Sequence, residues 1–233
     1  MSENTILHAD NLYKTYGSDE SAVTALSGVS LEIRDGELLV ILGSSGSGKS
    51  TLLNMLGGMD RPDEGTVTYR GEDIFKDGDK SMTAYRRNHI GFVFQSFNLI
   101  AELTALENVR LTAVRPEAAE EALMQVGLGD RMNAYPGKFS GGQQQRISIA
   151  RALAKETDIL LCDEPTGALD YETGKQILEL LEKLCRQQHK TIVIVTHTQE
   201  ISRMADRVIR MRSGKITGIT DNEEPASAKD IEW

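Results

Sequence analysis

The sequence predicts an α/β fold: a sheet rich in parallel strands, interrupted by a wholly helical insert at about residues 96–155. Three observations carry this. First, the chain holds short continuous apolar runs of strand length, ELLVIL at Glu37–Leu42, DILLC at Asp158–Cys162 and TIVIVT at Thr191–Thr196. Runs without polar alternation belong to strands covered on both faces, as in parallel sheets. Second, helical patterns separate those runs, which is the order that builds a parallel sheet. Third, from Thr104 to Leu153 only helical patterns occur.

In chain order, the strand Glu37–Leu42 is followed at once by a glycine-rich loop and a helix starting near Lys49. Further strands are expected at Thr66–Tyr69 and Ile90–Phe94. The insert then reads as TALENVRL, PEAAEEALMQVGL with Pro116 opening its first turn, and a helix beginning around Gly141. Strands resume at Ile159–Cys162 and Thr191–Thr196, and TGKQILELLEKLCRQQ between them sets Ile177, Leu181 and Leu184 at helical spacing. Val208–Met211 and Lys215–Ile219 form an expected edge hairpin turning on Ser213-Gly214. The stretch 221–233 carries Asp221, Glu223, Glu224, Asp230 and Glu232 against Lys229 and is expected to be a frayed acidic tail. There are no internal repeats.

A length of 233 residues fits one large domain, or one domain with an inserted subdomain. At 39% hydrophobic and 26% charged residues the composition is that of a globular protein, and no apolar run approaches the roughly 20 residues that span a bilayer. Met1-Ser2-Glu3-Asn4 lacks the basic and apolar regions of a signal peptide. Cys162 and Cys185 make no CxxC pattern and are read as two unpaired thiols of a reducing cytosol. A net charge of −9 opposes binding to a polynucleotide backbone, so no nucleic-acid partner is expected. The basic cluster Arg86-Arg87 near His89 reads instead as a solvated helix end.

The chemistry concentrates at strand ends. Gly43-Ser44-Ser45-Gly46-Ser47-Gly48-Lys49-Ser50-Thr51 matches a phosphate-binding loop, in the required context of strand before and helix after. Its glycines let the backbone curl so that N–H groups point inward, and the helix N-terminus adds partial positive charge. Lys49 would reach the β- and γ-phosphates of a nucleotide, and the Ser50 hydroxyl would ligate Mg²⁺. ILLCDEP supplies Asp163 and Glu164 at the C-terminal end of a buried strand, where α/β sheets place their ligands. Asp163 suits the Mg²⁺ shell and Glu164 the polarisation of an attacking water; taken alone, the pair could also be a cap before Pro165. Gln95 suits metal-bound water or is a plain loop residue. His197 could donate to γ-phosphate oxygens or cap the next segment. A second loop, KFSGGQQQR at Lys138–Arg146, also opens into a helix and looks built to close on an anion.

GSSGSGKST, Gln95 in VFQSFN, FSGGQQQR, ILLCDEPTGALD and His197 in VTHT occur together and in that order. In this the chain resembles the nucleotide-binding subunits of ATP-binding cassette (ABC) transporters over its whole length up to the acidic tail. SGGQQQR with DEPTGALD, and the hairpin GSDESAVTAL ahead of the core, are most similar to the branch of lipoprotein-release, macrolide-export and antimicrobial-peptide-resistance ATPases. Two departures stand out: Phe139 occupies a position where leucine is usual, and the stretch between ENVRL and EEALMQVGL is short.

The resemblance implies a RecA-like phosphate-loop core with an N-terminal antiparallel β portion. It implies a single domain over 1–220, with core at about 1–95 and 156–220, a helical subdomain at 96–155, and the acidic tail 221–233. It implies ATP and Mg²⁺ as cofactors, with Ser50, Gln95 and Asp163 toward the metal. It also implies a head-to-tail dimer in which Ser140 and Gly142 touch the γ-phosphate of the opposite subunit's ATP and Asp170 sits at the interface. Tyr16 is then the aromatic that stacks on adenine, with Tyr13 the runner-up. The implied activity is ATP hydrolysis energising a separate integral-membrane permease from the cytoplasmic face of the membrane. An ATP-gated signalling module coupled to a membrane protein is the alternative, and a cytosolic ATPase acting on DNA or ribosomes fits the charge less well.

Overall fold

In the computed structural model, residues 4–18 and 21–233 are described. A six-stranded sheet runs in the order β10-β9-β3-β8-β7-β6. Its members are β3 (Leu38–Leu42), β6 (Ile90–Val93), β7 (Ile159–Asp163), β8 (Thr191–Thr196), β9 (Arg207–Arg212) and β10 (Lys215–Asp221). β9, β3, β8, β7 and β6 are mutually parallel, and β10 returns antiparallel on β9 as the edge hairpin. A second sheet, β2-β1-β4-β5, is antiparallel. It is built from β1 (Thr5–Tyr16), β2 (Val23–Arg34), β4 (Glu64–Tyr69) and β5 (Glu72–Asp73). Of the hairpin GSDESAVTAL, Asp19 and Glu20 lie outside the described residues.

The continuous apolar runs have the physical basis the sequence suggests. In β3, Leu38, Val40 and Leu42 enter one hydrophobic core while Leu39 and Ile41 enter the other. In β7, Leu160 and Cys162 divide the same way from Ile159 and Leu161. Successive side chains of a strand point to opposite faces, so a strand between two cores must be apolar at every position. One core lies against the antiparallel sheet and α1 (Lys49–Leu56). The other lies against α6 (Tyr171–Gln188) and the helices of the insert.

Between Val93 and Ile159 there is no strand. The segment holds α3 (Ala105–Arg110), α4 (Pro116–Gln125), α5 (Gly141–Leu153) and short 3₁₀ turns at Gly129–Arg131 and Pro136–Lys138. Thr104 caps α3 reciprocally with Glu107, and Pro116 opens α4. Arg86, Arg87 and His89 fall in the last turn of α2 (Asp79–His89), where the arginine charges complement the helix dipole. Both cysteines are free and buried, and burial pushes the Cys185 thiol up to about 11.

The expectation of a frayed tail is corrected. Ala228 and Ile231 are fully buried and belong to the core around α6. The Glu182 carboxylate accepts from Ser227 Oγ at 3.3 Å and from the Ala228 N–H at 3.1 Å. Tyr171 donates its hydroxyl to the Ile231 carbonyl at 3.2 Å and packs edge-on against the Trp233 ring, centroids 5.0 Å apart. Composition misled because the five acids are exposed while two apolar residues of the same segment, Ala228 and Ile231, are turned inward.

Candidate functional site

The glycine loop joins the end of β3 to the start of α1. Gly48 is the N-cap of α1 at φ +97°, and a Cβ there would stand 2.4 Å from the Ala25 carbonyl oxygen. Only glycine tolerates that approach. No side chain caps the helix and no acid occupies its first turn, so its free N–H groups and dipole face the cleft as an anion site. Lys49 is buried, and its Nζ donates to the carbonyls of Gly43 at 2.8 Å and Ser44 at 3.1 Å. The ammonium therefore lies inside the loop it is expected to serve.

Across the cleft, β7 delivers the two acids. Ser50 Oγ donates to Asp163 Oδ1 at 3.2 Å. Burial raises the Asp163 carboxyl above the ordinary aspartate range; the Ser50 hydrogen bond opposes this and neighbouring Glu164 adds to it. Glu164 takes a left-handed backbone, φ +46°, with its N–H donating to the Val195 carbonyl at 2.9 Å. A non-glycine residue held there is strained and persists only where its surroundings fix it. Glu164 Oε2 accepts from Thr196 Oγ1 at 3.0 Å, and Oε1 lies 2.9 Å from His197 Nδ1.

These groups line one cleft of about 540 Å³, shared by Ser45–Thr51, Gln95, Asp163, Glu164 and His197. Gln95 can lie there because Gly167 has no side chain; a Cβ at Gly167 would meet Gln95 Nε2 at 2.7 Å. The cleft suits Mg²⁺: a hydroxyl and a half-buried carboxylate are hard oxygen donors, and that ion takes one or two carboxylates and completes its shell with phosphate and water. A carboxyl already raised by burial and a neighbouring acid is one that a divalent cation would relieve.

The remaining expected residues lie elsewhere. Ser140 and Gly142 do not line this cleft. Ser140 is the exposed N-cap of α5, in a capping box with Gln143. Gly142 is buried, and a Cβ there would meet Thr173 Cγ2 at 1.9 Å, so the packing of α5 on α6 demands a glycine. Asp170 caps α6, its Oδ1 accepting from the Thr173 N–H at 3.0 Å; the Thr173 hydroxyl, and then that N–H, hold its carboxyl below the ordinary range. Tyr16 stands outside the cleft lining, with its hydroxyl donating to Asp60 Oδ2 at 2.9 Å. Its cross-strand partner Val23, followed by Thr24 and Ala25, does line the cleft. Those three escaped sequence reading, since nothing local marks a strand edge as a cleft wall. Thr196, which holds Glu164, escaped as well; it reads as one more β-branched strand residue.

The ABC transporter family matches residues 26–167. The chain belongs to this family of ATP-binding, ATP-hydrolysing cassettes. It is 47% identical to an uncharacterised ABC transporter ATP-binding protein of Thermotoga maritima, over 92% of this chain and 94% of that one. It is 42% identical to the lipoprotein-releasing system ATP-binding protein LolD of Geobacter metallireducens, over 91% of this chain and 98% of that one. Against the macrolide export ATP-binding/permease protein MacB of Bartonella quintana it is 43% identical over 93% of its own length, but spans 34% of that longer protein. Among solved structures, the dimeric ATP-binding cassette MJ0796, in a post-hydrolysis state bound to ADP and Pi, superposes with a TM-score of 0.84 at 41% identity, covering 92% of this chain and 98% of that one.

Proposed function

We propose that this chain is the ATPase subunit of a transporter, working from the cytoplasmic face of a membrane and energising a separate integral-membrane permease by ATP-driven head-to-tail dimerisation. One observation carries the reading. The phosphate loop and both acids share a cleft, while the second anion cradle at Ser140 stands outside it on the exposed start of α5. A cradle that stands outside its own chain's cleft is placed to serve a second copy's nucleotide. The dimeric form of the related cassette and the fusion of ATPase to permease in MacB support the same view.

Within one chain the residues divide the work. The loop amides from Ser44 to Thr51 and the start of α1 bind the phosphates. Lys49 turns from the loop carbonyls to the β/γ-phosphates, and Tyr16 or its neighbours flank the base. Ser50, Asp163 and Gln95 would hold Mg²⁺, which screens phosphate charge when bound. Glu164 draws a proton from the attacking water, and Gln95 orients that water in line. His197, already 2.9 Å from Glu164 and on the cleft wall, would donate to the γ-phosphate. Ser140 and Gly142 present amides to the partner's γ-phosphate, and Asp170 meets the partner at the interface. Hydrolysis divides the charge that joins the two copies and loosens the clamp.

The test uses Glu164→Gln, which should bind ATP, hydrolyse it on the order of a hundredfold more slowly, and shift from monomer to dimer on adding ATP in size-exclusion chromatography with light scattering. Adding Ser140→Arg should leave ATP binding intact and keep the double variant monomeric. If ATP still drives dimerisation, the second loop is merely a helix start and the sandwich is lost. If Ser140→Arg removes ATP binding from the monomer, both cradles serve one chain.

A further inference from the structure

The buried hydroxyl of Thr196 is unexplained by strand formation alone. Thr196 ends β8 and is fully buried, where its neighbours Val193 and Val195 are purely apolar. Burying a hydroxyl costs free energy unless both its donor and acceptor capacities are used. Here both are. Thr196 Oγ1 accepts from the Thr198 N–H at 3.1 Å. A hydroxyl has one proton, and with that lone pair taken it is directed at Glu164 Oε2, 3.0 Å away. The backbone of the same residue accepts from the Gly43 N–H at 3.4 Å, so Thr196 also borders the phosphate loop.

The two oxygens of Glu164 are thus held by unlike partners. Oε1 faces His197, whose side chain is 64% exposed and hangs from a loop. Oε2 is held by a residue locked in the sheet, with Thr196 in register with Leu42 of β3. A His197 that turns toward phosphate releases Oε1; Thr196 keeps hold of Oε2. We infer that Thr196 is a positioning residue for hydrolysis, fixing one oxygen of Glu164 so that the other is presented to the attacking water. It does not line the cleft and acts through Glu164, so the inference rests on the assignment of Glu164 as base proposed above. It also accounts for the left-handed backbone of Glu164: the strained turn at φ +46° is what brings the carboxylate onto the Thr196 hydroxyl.

Steady-state kinetics on four variants tests this. Thr196→Val keeps the shape and removes the hydroxyl; we expect kcat to fall at least tenfold with KM for ATP and nucleotide affinity within about twofold of the parent. Thr196→Ser keeps the hydroxyl and should restore kcat to within about threefold. On a Glu164→Gln background, Thr196→Val should lower the residual rate by less than about twofold, because the two changes act on one group. The inference is overturned if Thr196→Val turns over normally, if Thr196→Ser is as slow as Thr196→Val, or if the two losses multiply in the double variant. The last two results would assign Thr196 to shaping the Thr198 loop. Normal turnover in Glu164→Gln would remove the base assignment itself, whereas a slow Glu164→Gln beside a fast Thr196→Val would remove this inference alone.

Discussion

At the scale of single residues, the phosphate loop is fixed by what its side chains lack as much as by what they carry. Gly48 needs φ +97° and has no room for a Cβ beside the Ala25 carbonyl. Gly48→Ala should therefore cost more than about 1 kcal/mol in urea unfolding and weaken ATP binding with it, since the strain is relieved by moving the loop. Lys49→Ala removes the ammonium and its bonds to the Gly43 and Ser44 carbonyls, which water can replace at the open cleft, and leaves every glycine in place. It should leave the unfolding midpoint within a degree or two of the parent while abolishing ATP binding, read by nucleotide titration. Unchanged affinity in that variant would remove the loop from the site.

At the scale of elements, α6 is held at its start and along its flank. Asp170 caps its first turn, and the segment 226–233 packs along it with Ile231 buried, the Ile231 carbonyl accepting from Tyr171, and Trp233 against Tyr171. Removing 226–233 strips a fully buried isoleucine and alanine from the core around α6 and uncovers Gly174, whose position lies between Trp233 and Thr166. Truncation should lower the melting temperature by several degrees. Ile231→Ala alone should cost about 2–4 kcal/mol, the usual range for emptying a buried branched side chain. A truncated chain that melts with the parent would return the segment to the status of a solvated tail.

At the scale of the whole molecule, charge acts against the assembly proposed. Each copy carries −9, so two copies meet against mutual repulsion that ATP must overcome through the phosphate loop and the partner's α5. Salt screens such repulsion, with a Debye length falling from about 30 Å at 0.01 M to about 8 Å at 0.15 M. The ATP-bound dimer of Glu164→Gln should thus tighten as ionic strength rises over that range, measured by sedimentation equilibrium. A dimer that weakens steadily with salt would mean that local ion pairs across the interface dominate over net charge.

What the sequence by itself determined is the set of features encoded over short stretches. The unbroken apolar runs of β3, β7 and β8 declare strands covered on both faces, because a strand's two faces alternate and each meets a core. GSSGSGKST and CDEP declare the cleft, because phosphate and metal chemistry demand those residue types at those spacings. Other features exist only between distant segments, and these the tertiary structure decided. Thr196 matters because β8 lies beside β7 and brings its hydroxyl to Glu164, 32 positions earlier in the chain. Val23 to Ala25 wall the cleft because β2 begins there. The resemblance implies that Gly142 contacts a partner's phosphate; the fold makes a demand of its own for glycine there, in the close packing of α5 on α6 at Thr173. The acidic tail was misread for the same reason: burial of Ala228 and Ile231 depends on a groove along α6 that no local pattern describes, and net composition cannot reveal which few side chains face inward.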